Sequence, residues 1–250
     1  MQRFFIAPET LEHDPVVLSG PVAHQLCHVL RLQPGTRIAL LDDTGWQYTA
    51  ELLHVTPQRA EARILSRQRP QTEPSVHITL YQALVVAHKL EWVLQKGTEL
   101  GVSAFVPLVT ARSLPARAGA SKLARWQRIV TEASEQSGRV RRPRVESPRA
   151  LTACLPVTAD LALLGAVDDR ATPLSAVLEA RAERPRTIAL FIGPEGGLAP
   201  DEIEAARASG IHPISLGPRT LRTETAGLAA VAALMYALGE WQLPALDDAP

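Results

Sequence analysis

Three short glycine-bearing loops hold the residues with the clearest chemical promise. One leaves Leu164 at Gly165. The second is Gly193-Pro194-Glu195-Gly196-Gly197, which follows the apolar run ending at Ile192. The third runs from Leu216-Gly217 through Arg219, Leu221, Arg222, Glu224 and Thr225 to Ala226. Glycine tolerates positive φ and lets backbone come close to a ligand, so each loop can present bare N–H and C=O groups to a purine edge. A P-loop needs Gly-Lys-Ser/Thr after its glycines, whereas GPEGGLAPDE has no lysine and continues into acids that repel phosphate. The early GxGxxG of a dinucleotide fold is absent. So is a GxSxG nucleophile elbow, and the seven histidines make no HExxH or other metal-like spacing. What remains is a cradle for a purine-bearing ligand without a polyphosphate. S-adenosylmethionine, an adenosine joined to a zwitterionic amino acid through a sulfonium, fits. Ordinary strand-to-helix turns with glycine caps have the same composition, and the residues alone leave both readings open.

Two acids and one arginine in these loops have alternative uses. Glu195 can hold its turn or lie near a sulfonium as counter-charge. Glu224 suits a helix N-terminus through the dipole alone. Arg222, two residues earlier, can face a substrate.

The elements that must position these loops are legible from periodicity. Leu161–Leu164, Ile188–Ile192 and Ile214–Leu216 read as short buried strands, preceded by strands over Val76–Val86 and Ala104–Val109. In His88–Leu100 the residues Leu90, Val93, Leu94 and Leu100 share one helical face, with Gly101 as C-terminal cap. Lys122–Gln136 is a second helix and Thr225–Trp241 the last. Strand and helix in alternation predict a parallel sheet with helices on both faces, where ligands sit at strand carboxyl ends. Residues 1–70 differ. Ile38–Leu41, Trp46–Leu53 and Ala60–Leu65 are strand-like with turn residues between them, and Ala23–Leu30 is a short helix. They predict a small β-barrel, joined through the polar, proline-bearing 67–74 linker to an α/β domain over 75–250.

With 46% hydrophobic and 21% charged residues, the 250-residue chain has the composition of a soluble globular protein. Its formal net charge is zero, yet residues 112–149 hold ten Lys or Arg (Arg112, Arg117, Lys122, Arg125, Arg128, Arg139, Arg141, Arg142, Arg144, Arg149) against Glu132, Glu135 and Glu146. A local excess of this kind steers polyanions; an arginine-biased, salt-bridged surface would look the same. Cys27 and Cys154 are too far apart in sequence to suggest a disulfide framework or zinc site. No run approaches membrane length and no leader-like apolar region opens the chain, so a reducing, cytoplasmic setting is expected, without metal.

Arg3-Phe4-Phe5, His24, Val29-Leu30-Arg31, Gln95-Lys-Gly-Thr-Glu-Leu-Gly-Val102, Glu132-Ala-Ser-Glu-Gln-Ser-Gly-Arg139, GPEGG and Leu216-Gly-Pro-Arg-Thr-Leu-Arg-Thr-Glu-Thr-Ala226 follow one another along nearly the whole chain. In that order and spacing the chain resembles the 16S ribosomal RNA uridine-N3 methyltransferase family, of the SPOUT (α/β-knot) class. Gly97 departs from it, standing where the family more often has Ala, a change worth up to about 1 kcal/mol of helix propensity. The resemblance implies a C-terminal domain with a deep trefoil knot, a PUA-like N-terminal barrel that grips RNA, and a homodimer formed through the C-terminal domain. It implies S-adenosylmethionine as cofactor, held by Leu164, Gly165, Ile192, Gly193, Pro194, Glu195, Gly196, Gly197, Leu216, Gly217, Leu221, Arg222, Thr225 and Ala226. The substrate would be one uridine of 16S RNA in the small subunit, flipped or unpaired. The RNA contacts would fall to Arg3, His24, Arg31, Arg112, Arg139, Arg141 and Arg142. A cation that stabilises charge on the uracil is required; Arg222 is the first candidate and Arg139 the second, with no general base evident. A knotted ribose 2′-O-methyltransferase and a non-catalytic RNA-binding module of the same fold are the alternatives.

Overall fold

The structure, a computed structural model, describes residues 1–113, 119–165 and 170–242. Arg117 of the basic stretch therefore lies outside the described residues. The chain divides into two units, Met1–Glu73 with Ser134–Arg142, and Pro74–Ala133 with Pro143–Pro250.

The first unit contains β1 (Arg3–Phe5), β2 (Val16–Ser19), a helical turn α1 (Pro21–His24) that continues as a wider turn over Gln25–Val29, β3 (Arg37–Leu41), β4 (Gln47–Val55) and β5 (Arg59–Gln68). Among the described residues the sheet order is β1-β3-β4-β5-β2, open between its ends, so the barrel expected from sequence is a half-barrel. β1 and β3 pair in parallel and the other pairs are antiparallel. Alternation decides the buried face: Val16 and Leu18, Ile38 and Leu40, Ala60 and Ala62 turn inward onto Phe4, Leu26 and Leu52. The β3–β4 turn is built by Asp42, whose carboxylate accepts the Thr44 N–H at 2.8 Å, the Trp46 N–H at 3.1 Å and the Thr44 hydroxyl at 2.8 Å. That local bonding is what lets Asp43 take φ +63.

The stretch expected as a linker ends on a fixed residue. Glu73 accepts Arg139 Nη2 at 2.7 Å and Nε at 3.1 Å, and also the backbone N–H groups of Val140 and Arg141. Val140 packs with Phe5 and Leu41, and the Phe5 N–H donates to Glu135 at 3.0 Å. Charge and apolar contact together thus bring Ser134–Arg142 back onto the first unit.

The second unit is an eight-stranded sheet ordered β11-β13-β10-β12-β6-β7-β8, with β9 also pairing β7. Its strands are β6 (His77–Ala83), β7 (Ala104–Val109), β8 (Arg144–Val145), β9 (Arg149–Ala150), β10 (Leu161–Gly165), β11 (Thr172–Pro173), β12 (Thr187–Ile192) and β13 (His212–Ser215). Every described pairing is parallel, and both faces are buried, as all-parallel sheets require. On β12, Ile188, Leu190 and Ile192 enter one core while Ala189 and Phe191 enter the other. The first core is covered by α2 (Ala87–Glu99), α3 (Ala120–Ser137), α4 (Leu174–Glu179) and α6 (Thr223–Ala237); the second is covered by α5 (Pro200–Ala208) and the turn Leu151–Cys154. Gly101 ends α2 at φ +99, in keeping with its expected role. The last helix starts two residues earlier than expected and stops at Ala237, with Gly239 at φ +72 beyond it. Among the described residues no helix is long and apolar enough to cross a membrane.

Candidate active site

β13, β10 and β12 are neighbours in the sheet and run the same way, so Gly165 at the end of β10 lies between the segments that follow Ile192 and Ser215. Gly165 and these segments enclose a cavity of about 710 Å³, within the range of small-molecule sites. Of the residues expected at a cofactor, Gly165, Ile192, Gly193, Pro194, Glu195, Gly196, Gly197, Leu216, Gly217, Leu221, Arg222 and Ala226 line it. Leu164 and Thr225 do not: Leu164 is fully buried in the second core, and Thr225 is exposed in the first turn of α6. Leu198, Ile203, Ile214 and Ser215 also line the cavity, as do Arg112, Thr223 and the 218–220 stretch with the exposed Arg219.

Two of the glycines here are dictated by space or by backbone conformation. A Cβ on Gly165 would stand 2.9 Å from Ile192 Cδ1, and Gly217 sits at φ +105, a region that side chains disfavour.

Three polar residues that the sequence reading passed over hold the loops in register. Gln82, at the carboxyl end of β6, donates through Nε2 to Thr223 Oγ1 at 2.8 Å, and Thr223 Oγ1 donates to the Gly193 carbonyl at 2.5 Å. Both side chains are buried. This relay ties the first residue of α6 to the first residue of the GPEGG loop. Gln82 Oε1 has no hydrogen-bond partner among the described residues, and a Cβ on Gly227 would stand 2.8 Å from it. One signal was present in the sequence: Gln82 is a lone amide closing an apolar strand.

Lys89, in the first turn of α2, is the third. Its Nζ lies 2.9 Å from Glu195 and 3.4 Å from Glu224. The hydrogen bond from Lys89 holds the Glu195 carboxyl below the usual carboxylate range, and the same bond raises Lys89. Glu195 is thus an anchored wall residue whose charge is met from α2. Arg112 fixes the same loop from another side, donating to the Gly196 carbonyl at 3.0 Å. Glu202, in the first turn of α5, accepts the Ala199 and Ala111 N–H groups at 2.9 and 2.8 Å.

Arg222 stands at the N-cap of α6, and its carbonyl accepts the Ala226 N–H at 2.7 Å. Its side chain is exposed, lines the cavity and has no hydrogen-bond or ion-pair partner among the described residues. Arg139 is different. At 5% exposure, its guanidinium is engaged by Glu73 in the first unit.

The basic stretch is partly neutralised in space by acids remote in sequence. Arg125 pairs with Glu91 at 2.6 Å, Arg139 with Glu73 at 2.7 Å and Arg142 with Asp43 at 2.9 Å; Arg128 pairs with Glu132 within the stretch. Arg141 is exposed and donates to the Thr44 carbonyl at 2.6 Å. In the first unit, His24 and Arg31 are exposed, and the His24 ring lies 4.8 Å from that of His28. Arg3 is partly buried, and its guanidinium lies against Gly138. Among the described residues no cluster of His, Cys, Asp and Glu could hold a metal.

Comparison with known proteins shows the family. Residues 72–235 match the family model of an RNA methyltransferase domain, and residues 18–65 match that of an RNA methyltransferase PUA domain. Ribosomal RNA small subunit methyltransferase E of Synechocystis is 38% identical over 92% of this chain and 76% of its own length. That of Bacillus subtilis is 32% identical over 94% of this chain and 96% of its own. A crystal structure of the Neisseria gonorrhoeae ribosomal RNA small subunit methyltransferase E bound to S-adenosyl methionine superposes with a TM-score of 0.86, at 34% identity, over 95% of this chain and 98% of that one. The chain belongs to the ribosomal RNA small subunit methyltransferase E family of RNA methyltransferases.

Proposed function

We propose that the chain transfers a methyl group from S-adenosylmethionine to N3 of one uridine in 16S ribosomal RNA of the small subunit. The observation that carries this reading is the convergence of Gly165 and the 193–197 and 216–226 loops on one cavity beside Arg222, an exposed cation with no side-chain partner among the described residues. The cavity suits the cofactor. Its walls are apolar at Ile192, Leu198, Leu216 and Leu221, its glycine loops offer backbone groups to an adenine, and its one acid among the loop residues 193–197 is already met by Lys89. A solved relative in the same family holds that cofactor. When bound, S-adenosylmethionine supplies an electrophilic methyl on a sulfonium sulfur.

The rest falls to this chain. Gly165, the GPEGG loop and residues 216–226 hold the cofactor, while the Gln82–Thr223–Gly193 relay keeps two of those loops in place. Uracil N3 carries a proton and becomes nucleophilic as that proton leaves, to water in this reading. The Arg222 guanidinium stabilises the negative charge that then spreads onto the uracil oxygens. Arg139 is committed to Glu73, so the cationic role is given to Arg222 alone. Arg3, His24, Arg31, Arg141 and Arg142 in the first unit, with Arg112 in the second, contact RNA backbone, which sets affinity and register without reading sequence.

The same reading includes a trefoil knot in the second unit, supported by the insertion of the last strand, β13, between β10 and β11. It includes a homodimer through that unit. Exposed aromatics in that unit, Trp92 on α2, Tyr236 on α6 and Trp241 beyond it at 52%, 74% and 54%, support it as surface that a second copy could cover. It also places the protein in the cytoplasm, where its RNA is made. Methyl-labelled cofactor incubated with the protein and small subunits lacking the modification tests the reading: label is expected in 16S RNA, and its absence there would refute it.

A further inference from the structure

The turn between β3 and β4 carries an indole that meets two arginines, with two more bound beside it on the same turn, and none of these residues lines the cavity. Arg67 Cζ lies 4.8 Å and Arg69 Cζ 4.4 Å from the Trp46 ring centroid. Arg67 lies opposite Tyr48 one residue before β5 ends, and Arg69 follows two residues on, the spacing that sends strand side chains to one face. The returning segment adds two more. Arg141 donates to the Thr44 carbonyl at 2.6 Å with its guanidinium beside Gly45, and Arg142 pairs with Asp43. The local carboxylates do not balance this charge. Asp42 is 5% exposed and occupied with the Thr44 and Trp46 N–H groups, and Asp43 is taken by Arg142. Arg67 and Arg69 are exposed and have no hydrogen-bond or ion-pair partner among the described residues.

An indole capped by guanidinium planes, with unpaired donors at its rim, matches what an unpaired nucleotide requires. A base extends the stack on the aromatic or guanidinium plane, and the phosphates on either side meet the free donors. An acidic polypeptide would use the arginines but would gain nothing from the indole. We propose that Trp46, Arg67, Arg69 and Arg141 form a stacking platform for a single-stranded segment of RNA. The proposal rests on the reading that this chain acts on RNA, and it adds a contact site to that reading.

The test uses the full chain and a fluorescein-labelled oligouridine of about twelve nucleotides, with anisotropy read at several salt concentrations. For R67Q/R69Q the slope of log Kd against log salt is expected to fall by about 1.4, the release expected for two phosphates of a single strand. W46A is expected to bind roughly 5- to 150-fold more weakly, the range for loss of one stacked base, with an unchanged slope. W46F should recover most of that loss. Parent-like binding by both variants would overturn the proposal. So would loss in R67Q/R69Q with parent-like W46A, the pattern of a surface for acidic chains in general. S-adenosylmethionine affinity, measured by calorimetry on each variant, is expected to match the parent and identifies a misfolded variant; in that case the W46F and single-arginine variants carry the comparison. Failure of the methyl-transfer reading would show separately, as a parent protein that binds oligouridine and labels no RNA.

Discussion

At the level of single residues the described site divides into exposed cations, Arg219 and Arg222, and a set of side chains that hold loops. Arg222 makes no described contact that the fold would miss, so Arg222→Ala should leave stability within about 0.5 kcal/mol. It should lower methyl transfer by about 10²- to 10³-fold, the usual loss when a donor to developing negative charge is removed. Steady-state transfer and thermal unfolding check the two halves, and near-normal turnover would remove Arg222 from the mechanism. Thr223 is the opposite case. It both accepts from Gln82 and donates to Gly193 while 5% exposed. Thr223→Val keeps the shape and leaves both partners unsatisfied, for an expected loss of about 1–3 kcal/mol by denaturant unfolding and a weaker cofactor affinity by calorimetry. Arg222 was visible in the sequence because a loop arginine needs no partner to be noticed. Thr223 and Lys89 were not, because their roles depend on residues 30 to 141 positions away.

At the level of elements, continuous apolar runs predicted β7 at its observed limits and β12 to within a residue, and helical periodicity predicted α2 to within a residue, since both strands are buried on both faces and α2 buries one. The two-residue strands β8, β9 and β11 carry no period and went unforeseen. Gly97 shows how packing overrides propensity. From sequence it only weakens α2, but a Cβ there would stand 2.8 Å from the ring of Phe105, which is 1% exposed on β7. The glycine is the seat of a buried ring. Gly97→Ala is therefore expected to destabilise: overpacking of about 1–3 kcal/mol outweighs a propensity gain of up to about 1 kcal/mol. A raised Tm would contradict this.

At the level of the whole molecule, charge counted along the chain differs from charge placed in space. Residues 112–149 read as a block of arginine, yet Glu73, Glu91 and Asp43 come from outside it to pair with three of them. No periodicity announces that return, which is why the sequence placed 134–142 with its neighbours although it belongs to the first unit. Glu73→Ala removes the carboxylate that the Arg139 guanidinium and the Val140 and Arg141 N–H groups meet, and a loss of about 1–3 kcal/mol is expected in unfolding experiments; a change under about 0.5 kcal/mol would show that these contacts do not support the fold. The central claim concerns one atom of one base, and analysis of the product tests it most directly. Small subunits lacking the modification are treated with protein and cofactor, their 16S RNA is digested, and the nucleosides are separated and identified by mass spectrometry. N3-methyluridine, absent when Arg222→Ala replaces the parent, is the result expected. A 2′-O-methyl nucleoside, or unmodified RNA from the parent protein, would contradict the account.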